Sequence, residues 1–145
     1  MYKLEIHLTA EFKNIITKAQ APFEVSALAL EFNYSSGRTD VVAVTVHEEL
    51  IAFEAKLTNW QKALNQSYRN SSFAHYSYVV IPMSIAGRAL KKSREFIKRG
   101  VGLCSVDSSG IKLEIPARKK TPIQPWITNS AIDYITANQY ASEAI

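Results

Sequence analysis

Cysteine is almost missing from this 145-residue chain: Cys104 stands alone, so no internal disulfide can form and a reducing compartment, the cytoplasm, is expected. Cys104 lies in Val101-Gly102-Leu103-Cys104-Ser105-Val106, which reads as a buried strand, where a thiol is inert packing rather than a nucleophile. Long apolar runs are also lacking, so no bilayer-spanning segment and no membrane partner are expected. Residues 1 to 7 combine no continuous apolar stretch with a cleavage-like ending, which argues against a secretory signal. His7, His47 and His75 are too scattered for zinc spacing. A glycine-rich phosphate loop, a Ser-His-Asp order, a dinucleotide fingerprint and internal repeats are all absent, which removes several large enzyme classes from consideration.

What remains is a chain of single-domain size, 47% apolar and 21% charged, able to bury a real core. The sequence divides at about position 118 into a domain, 1–118, and a basic, proline-punctuated linker with a C-terminal helix, 119–145, expected to pack on the domain or on a partner. Net charge is +4. Its distribution says more than its total. Arg88, Lys91, Lys92, Arg94, Lys98 and Arg99 fall in one helical segment against the single acid Glu95, and Arg118-Lys119-Lys120 forms a second cluster. A solvated helix face with a basic linker would look like this, and so would a surface that meets a phosphate backbone.

Periodicity predicts a first helix over 9–20, capped by Thr9, with Phe12, Ile15, Ile16 and Ala19 on one face. Residues 27–34 read as a strand before a Ser-Ser-Gly turn. A second helix is expected over 58–74, with Trp60, Ala63, Leu64 and Ser67 as its packing stripe and Lys62, Gln66 and Arg69 on a separate stripe. Tyr76–Ile81 reads as a strand, and Ser84 opens a helix to about Arg99 that Gly100 stops. A hairpin follows around Asp107-Ser108-Ser109-Gly110, and a last helix is expected over 129–143, with Ser130 and Asp133 in capping-box spacing. This order implies an α/β fold with a central mixed β-sheet flanked by helices on both faces.

The most informative stretch is Ser36-Gly37-Arg38-Thr39-Asp40-Val41-Val42-Ala43-Val44, followed after a short polar turn by Leu50-Ile51-Ala52-Phe53-Glu54-Ala55-Lys56. Side chains alternate along a strand, so Glu54 and Lys56 project to one side, and an antiparallel hairpin returns Asp40 toward them. Two carboxylates and an amine converging on a sheet suit a hard divalent cation and the activation of a water molecule. Simpler readings also fit: Asp40 closing a turn, and Glu54 with Lys56 as a solvated pair on a sheet edge.

Arg38-Thr39-Asp40 and Glu54-Ala55-Lys56, with a glutamine-bearing helix directly after, resemble the PD-(D/E)XK nuclease superfamily over roughly positions 27–115. Thr39 stands where the family name has proline. The resemblance implies a restriction-endonuclease-like fold and a magnesium- or manganese-dependent enzyme that hydrolyses DNA phosphodiester bonds, in repair, recombination or defence. It implies Asp40, Glu54 and the backbone carbonyl of Ala55 as metal ligands, Lys56 as the residue that acts on the attacking water or the transition state, and Gln66 as a catalytic helper. Some families continue this glutamine as Q-x-x-x-Y; here position 70 is Asn, with Tyr68 two residues after the glutamine. Glu11, or else Glu31, resembles the accessory acid of many members. Lys62, Arg69, Arg88, Lys91 and Lys92 would meet nucleic-acid phosphates, and cleavage of both strands would call for a homodimer. The alternative is a non-catalytic module of the same fold that binds nucleic acid or protein.

Overall fold

Apolar alternation along the chain resolves, in a computed structural model that describes residues 2–18, 22–35 and 37–141, into five helices and seven strands. In chain order these are α1 (Glu5–Thr17), β1 (Val25–Tyr34), β2 (Gly37–Thr45), β3 (Leu50–Ala55), α2 (Trp60–Asn70), β4 (Tyr76–Pro82), a short 3-10 turn, α3 (Ala86–Leu90), α4 (Ser93–Arg99), β5 (Gly102–Asp107), β6 (Gly110–Ile115), α5 (Pro125–Asn138) and the two-residue β7 (Tyr140–Ala141). Positions 19–20 and 142–143 of the expected terminal helices, and Ser36 of the expected turn, lie outside the described residues.

The strands form one mixed sheet in the order β6-β5-β4-β3-β2-β1-β7. β3 pairs with β4, and β4 with β5, in parallel, while the remaining pairs are antiparallel. β3 sits centrally, and all six of its residues are buried, as a strand covered on both faces requires.

Each face has its own apolar cluster. On one, Leu8, Phe12 and Ile16 of α1 pack on Val41, Ala43, Ile51, Phe53 and Val80. Phe12 meets Phe53 edge-on, with ring centroids 4.7 Å apart, a favourable arrangement for two aromatic rings. On the other face, Ile127, Ala131 and Ile135 of α5 pack on Ala27, Ala29, Val42 and Ala52. Trp60, Ala63 and Leu64 of α2 cover Val79 and Ile81 there, together with Phe96 of α4. The architecture is thus α/β, with a mixed sheet flanked by helices on both faces. Among the described residues no helix is long and apolar enough to cross a membrane.

Local chemistry moved several boundaries. α1 begins at Glu5 rather than Thr9, whose hydroxyl donates back to the Glu5 carbonyl from inside the helix. The acid in the first turn offsets the missing side-chain cap, since a negative charge is favourable at a helix start. The single helix expected from Ser84 to Arg99 breaks at Lys91–Lys92 into α3 and α4, and Gly100, with φ 69°, ends α4 in the left-handed region that glycine tolerates best. α5 starts at Pro125 rather than Ser130, because proline suits the first helical position and Ser130 instead bonds back to Trp126. The 119–124 segment is held in place by its backbone: Lys120 donates to the His75 carbonyl, and Ile123 and Gln124 both donate to the Ser72 carbonyl.

Gly102 lies under the Tyr78 ring, where a Cβ would come within 2.2 Å of the aromatic edge, whereas one on Gly87 of α3 would meet nothing within 4 Å. Gly102→Ala is therefore expected to cost about 1–3 kcal/mol through overpacking, while Gly87→Ala raises stability by roughly 0.5–1 kcal/mol through helix propensity. Urea denaturation of both variants checks the contrast, and equal effects at the two positions would contradict this packing.

Candidate functional site

The β2–β3 ladder pairs Val41 with Phe53 and Val42 with Ala52. Continued one step, that register sets Asp40 opposite Glu54. Directly opposed residues share a face of the sheet, here the face that also carries Val42, Leu50 and Ala52. The Ala55 N–H donates to Asp40 Oδ2 at 2.8 Å, which ties the first carboxylate to the end of the strand bearing the second.

Glu54 is only 1% exposed, so its carboxylate needs an internal partner. Asn70, in the last turn of α2, supplies it: Asn70 Nδ2 donates to Glu54 Oε2 at 2.7 Å. The amide is oriented by two donors on its other end, the Tyr34 hydroxyl at 2.9 Å and the buried Thr39 hydroxyl at 3.1 Å, both directed at Asn70 Oδ1. With its oxygen engaged on that side, the amide has only its NH2 to offer Glu54. Strand β1, strand β2 and helix α2 are thereby joined through one side chain.

Burial, and then the Asp40 carboxylate beside it, push Glu54 up to about 8, against an opposing contribution from the Asn70 hydrogen bond. Two neighbouring carboxylates in a dry site resist simultaneous ionisation. Near neutral pH the pair holds a proton, or a cation in its place. Tyr34 is also raised, mainly by burial and further by Glu54, with the Arg69 guanidinium acting in the opposite direction.

Asp40, Glu54, Lys56, Gln66, Arg69 and Asn70 line one cavity of about 250 Å³, together with Glu5, Tyr34, Gly37 and Arg38. Lys56, the first residue after β3, has its ammonium 3.5 Å from Glu5 Oε1, and Glu5 also accepts from the Leu57 N–H at 3.3 Å. The start of α1 thus closes one side of the cavity. Gln66 lies one helical turn before Asn70 and faces the same space; its Oε1 is sealed from solvent and accepts no hydrogen bond from any described residue. The chemistry open to this arrangement is oxygen-donor binding of a cation between two carboxylates, with a cationic side chain alongside.

The other expected residues fall in different places. Glu11 binds the Tyr2 hydroxyl and is absent from the cavity lining, so the accessory-acid expectation is corrected at that position. It projects elsewhere because six residues along a helix from Glu5 carry it well around the axis. Glu31, at φ 58°, pairs with Arg38 at 3.6 Å and lines an adjoining depression that also includes Asp40 and Ala55. Lys62 is exposed on the first turn of α2, and Arg88, Lys91 and Lys92 occupy α3 and the break after it; none of the four lines the cavity. Lys119 pairs with Glu49 while its side chain stays largely in solvent.

Glu5 and Asn70 carry site geometry that sequence reasoning passed over. Glu5 was hidden by starting the helix at Thr9. Asn70 had a visible signal, because it continues the stripe Trp60, Ala63, Leu64, Ser67 by one more step of three. A polar residue on a packing stripe must find a buried partner, and Glu54 is that partner.

Among the described residues no group of three His, Cys, Asp or Glu side chains gathers to hold a metal. Two carboxylates with room for water match the habit of magnesium, which keeps several waters and takes one or two protein carboxylates.

No family model matches the sequence, and no curated protein matches it. Among solved structures the chain is similar to SPO1766, a protein of unknown function from Silicibacter pomeroyi, at 14% identity and a TM-score of 0.66, with 92% of this chain and 87% of that one covered. That likeness extends to the fold alone.

Proposed function

We propose that this protein is a metal-dependent nuclease that hydrolyses DNA phosphodiester bonds with magnesium or manganese. The observation that carries the reading is the facing pair Asp40 and Glu54 in a polar cavity shared with Lys56 and Gln66. The donor set fits a hard cation: two carboxylates and a sealed amide oxygen on Gln66 with no partner among the described residues, to which the family pattern would add the Ala55 carbonyl. When bound, the cation would supply charge relief at the phosphate and acidify a water.

The rest is work for the chain's own side chains. Asn70 holds Glu54 in one rotamer from α2. The main chain of Ala55 holds Asp40, so the two carboxylates are set in position before substrate arrives. Such preorganisation lowers the cost of orientation during reaction. Glu5 positions the Lys56 ammonium at the side of the cavity, where it would stabilise negative charge developing on the phosphate as the P–O bond to the leaving sugar breaks. Arg69, on the cavity wall, would hold an adjacent phosphate of the strand.

Asp40→Ala and Lys56→Ala are expected to lower magnesium-dependent cleavage on the order of 10²–10⁴-fold while far-UV circular dichroism stays unchanged. The assay is gel analysis of single-stranded, double-stranded and branched DNA with and without magnesium or manganese. Full activity in both variants sinks the assignment, and metal-independent binding without cleavage by the wild type favours the non-catalytic module.

A second expectation follows from Glu54. Its folded pKa of about 8 lies above its ordinary value of 4.5, so within that window the folded chain keeps a proton the unfolded chain has released. Stability without metal therefore falls as pH rises from about 4.5 to 8. Thermal melts in EDTA should drop by several degrees, roughly 2–4 °C per kcal/mol for a chain of this size. Magnesium should stabilise most at the alkaline end, since its ligands must be deprotonated. Glu54→Gln should flatten the slope; an unchanged slope in that variant would remove Glu54 as its source.

A further inference from the structure

The carboxylate cavity is not isolated. Tyr34 and Arg69 line it and also line a larger depression of about 580 Å³ beside it. The two spaces share Tyr34 and Arg69 as walls, and the Arg69 guanidinium passes near Gly37, 3.4 Å from where a Cβ would stand. The lining of the larger depression contains the cations Arg69 and Lys120 and no acid. It also presents two apolar surfaces to solvent: Tyr68, 53% exposed, and Ile123, 77% exposed.

Both surfaces are held rather than loose. Tyr68 projects from α2, and the Lys120 ammonium sits 4.8 Å from its ring centroid while donating to the Arg99 carbonyl at 2.5 Å. The backbone N–H groups of Ile123 and Gln124 both donate to the Ser72 carbonyl, at 3.0 and 2.9 Å, which fixes the opposite wall.

We propose that this depression seats an unpaired nucleotide of single-stranded DNA beside the scissile phosphate, with Tyr68 and Ile123 as the surfaces that meet the base, Arg69 as the group that meets the backbone, and Lys120 adding positive charge to the groove from its place on the Tyr68 ring. The inference rests on the nuclease reading for the position of the scissile bond, and on the depression's own chemistry for the rest. Cations without acids select a polyanion. An aromatic ring at the surface of a basic groove is a stacking platform, and a base can reach it only when it is out of the duplex stack. The volume lies within the range of about 300–1,000 Å³ that holds small ligands, enough for a nucleotide and far too small for a duplex. Because Arg69 lines both spaces, a strand seated here would have its next phosphate toward Asp40 and Glu54. The substrate class is therefore DNA with an unpaired segment at the cut: a free single strand, a flap or a splayed junction.

The test separates this groove from catalysis. Fluorescence anisotropy is measured in EDTA with the full-length Asp40→Asn protein, which leaves the DNA intact, on a labelled oligodeoxythymidine and on a blunt duplex of equal length. The single strand is expected to bind at least ~10-fold more tightly than the duplex, and Tyr68→Ala to weaken single-strand binding ~10-fold or more with duplex binding unchanged. Tyr68→Phe, which keeps the ring, should restore it. Equal affinity for the two DNAs, or a Tyr68→Ala variant that binds the single strand as before, overturns the groove. If that happens while the wild type still cleaves duplex with magnesium, the groove fails and the nuclease reading stands. Ring-dependent single-strand binding in a protein that cleaves no DNA supports the groove and removes the nuclease reading.

Discussion

Glu54 is an acid near the end of a fully buried central strand, and the molecule is arranged around meeting that demand. An uncompensated carboxylate there would cost several kcal/mol. The compensation comes from Asn70 at the end of α2 and from the Tyr34 and Thr39 hydroxyls that orient it, while the Asp40 carboxylate from β2 adds to the demand. Removing any one leaves another buried polar group short of a partner, so the network couples the packing of α2 to the register of the hairpin. A structural protein would gain more from an apolar residue at position 54. A buried carboxylate that resists ionisation is the kind of group on which the proposed function would draw.

The two faces of the sheet divide the labour. The face under α1 is apolar, with Phe12, Phe23, Phe53 and Tyr78 packed ring on ring. The opposite face is apolar under α5 and under most of α2, and becomes polar only where α2 ends beside β2 and β3. Glu5 links the faces, because α1 begins at the edge of the sheet where β3 ends and pairs there with Lys56. The C-terminal segment joins the same body: Thr128 and Tyr134 of α5 donate to the Phe73 and Leu30 carbonyls, and the irregular 119–124 segment before the helix walls the groove beside the cavity.

The first six strands were legible because their signals are local, whereas β7, at Tyr140–Ala141, falls inside the helix expected over 129–143. An acid interrupting Leu-Ile-Ala-Phe cannot be explained by strand packing, and a short polar turn leaves little freedom in how a hairpin pairs. The helices of 83–99 were harder, because charge content there says nothing about a one-turn break. The same limit hid Glu5: without a Ser, Thr, Asp or Asn cap, the start of α1 carries no strong local mark, and the acid that closes the cavity fell outside the helix expected over 9–20. Asn70 looked like a departure from a family pattern and turned out to hold the central carboxylate.

By itself the sequence determined the alternation of elements, the central hairpin, and the facing of Asp40 and Glu54, since these depend on side-chain period and turn length. The tertiary structure alone decided which distant residues complete the site. Asn70, Tyr34, Thr39 and Glu5 reach it across sequence separations that no local pattern encodes, and they do so because a buried charge must be met by whatever polar groups the packed helices can bring to it. The basic stretch Arg118-Lys119-Lys120 shows the same principle in reverse. Its charge was plain in the sequence, and only packing assigned Lys119 to Glu49 and Lys120 to the groove wall.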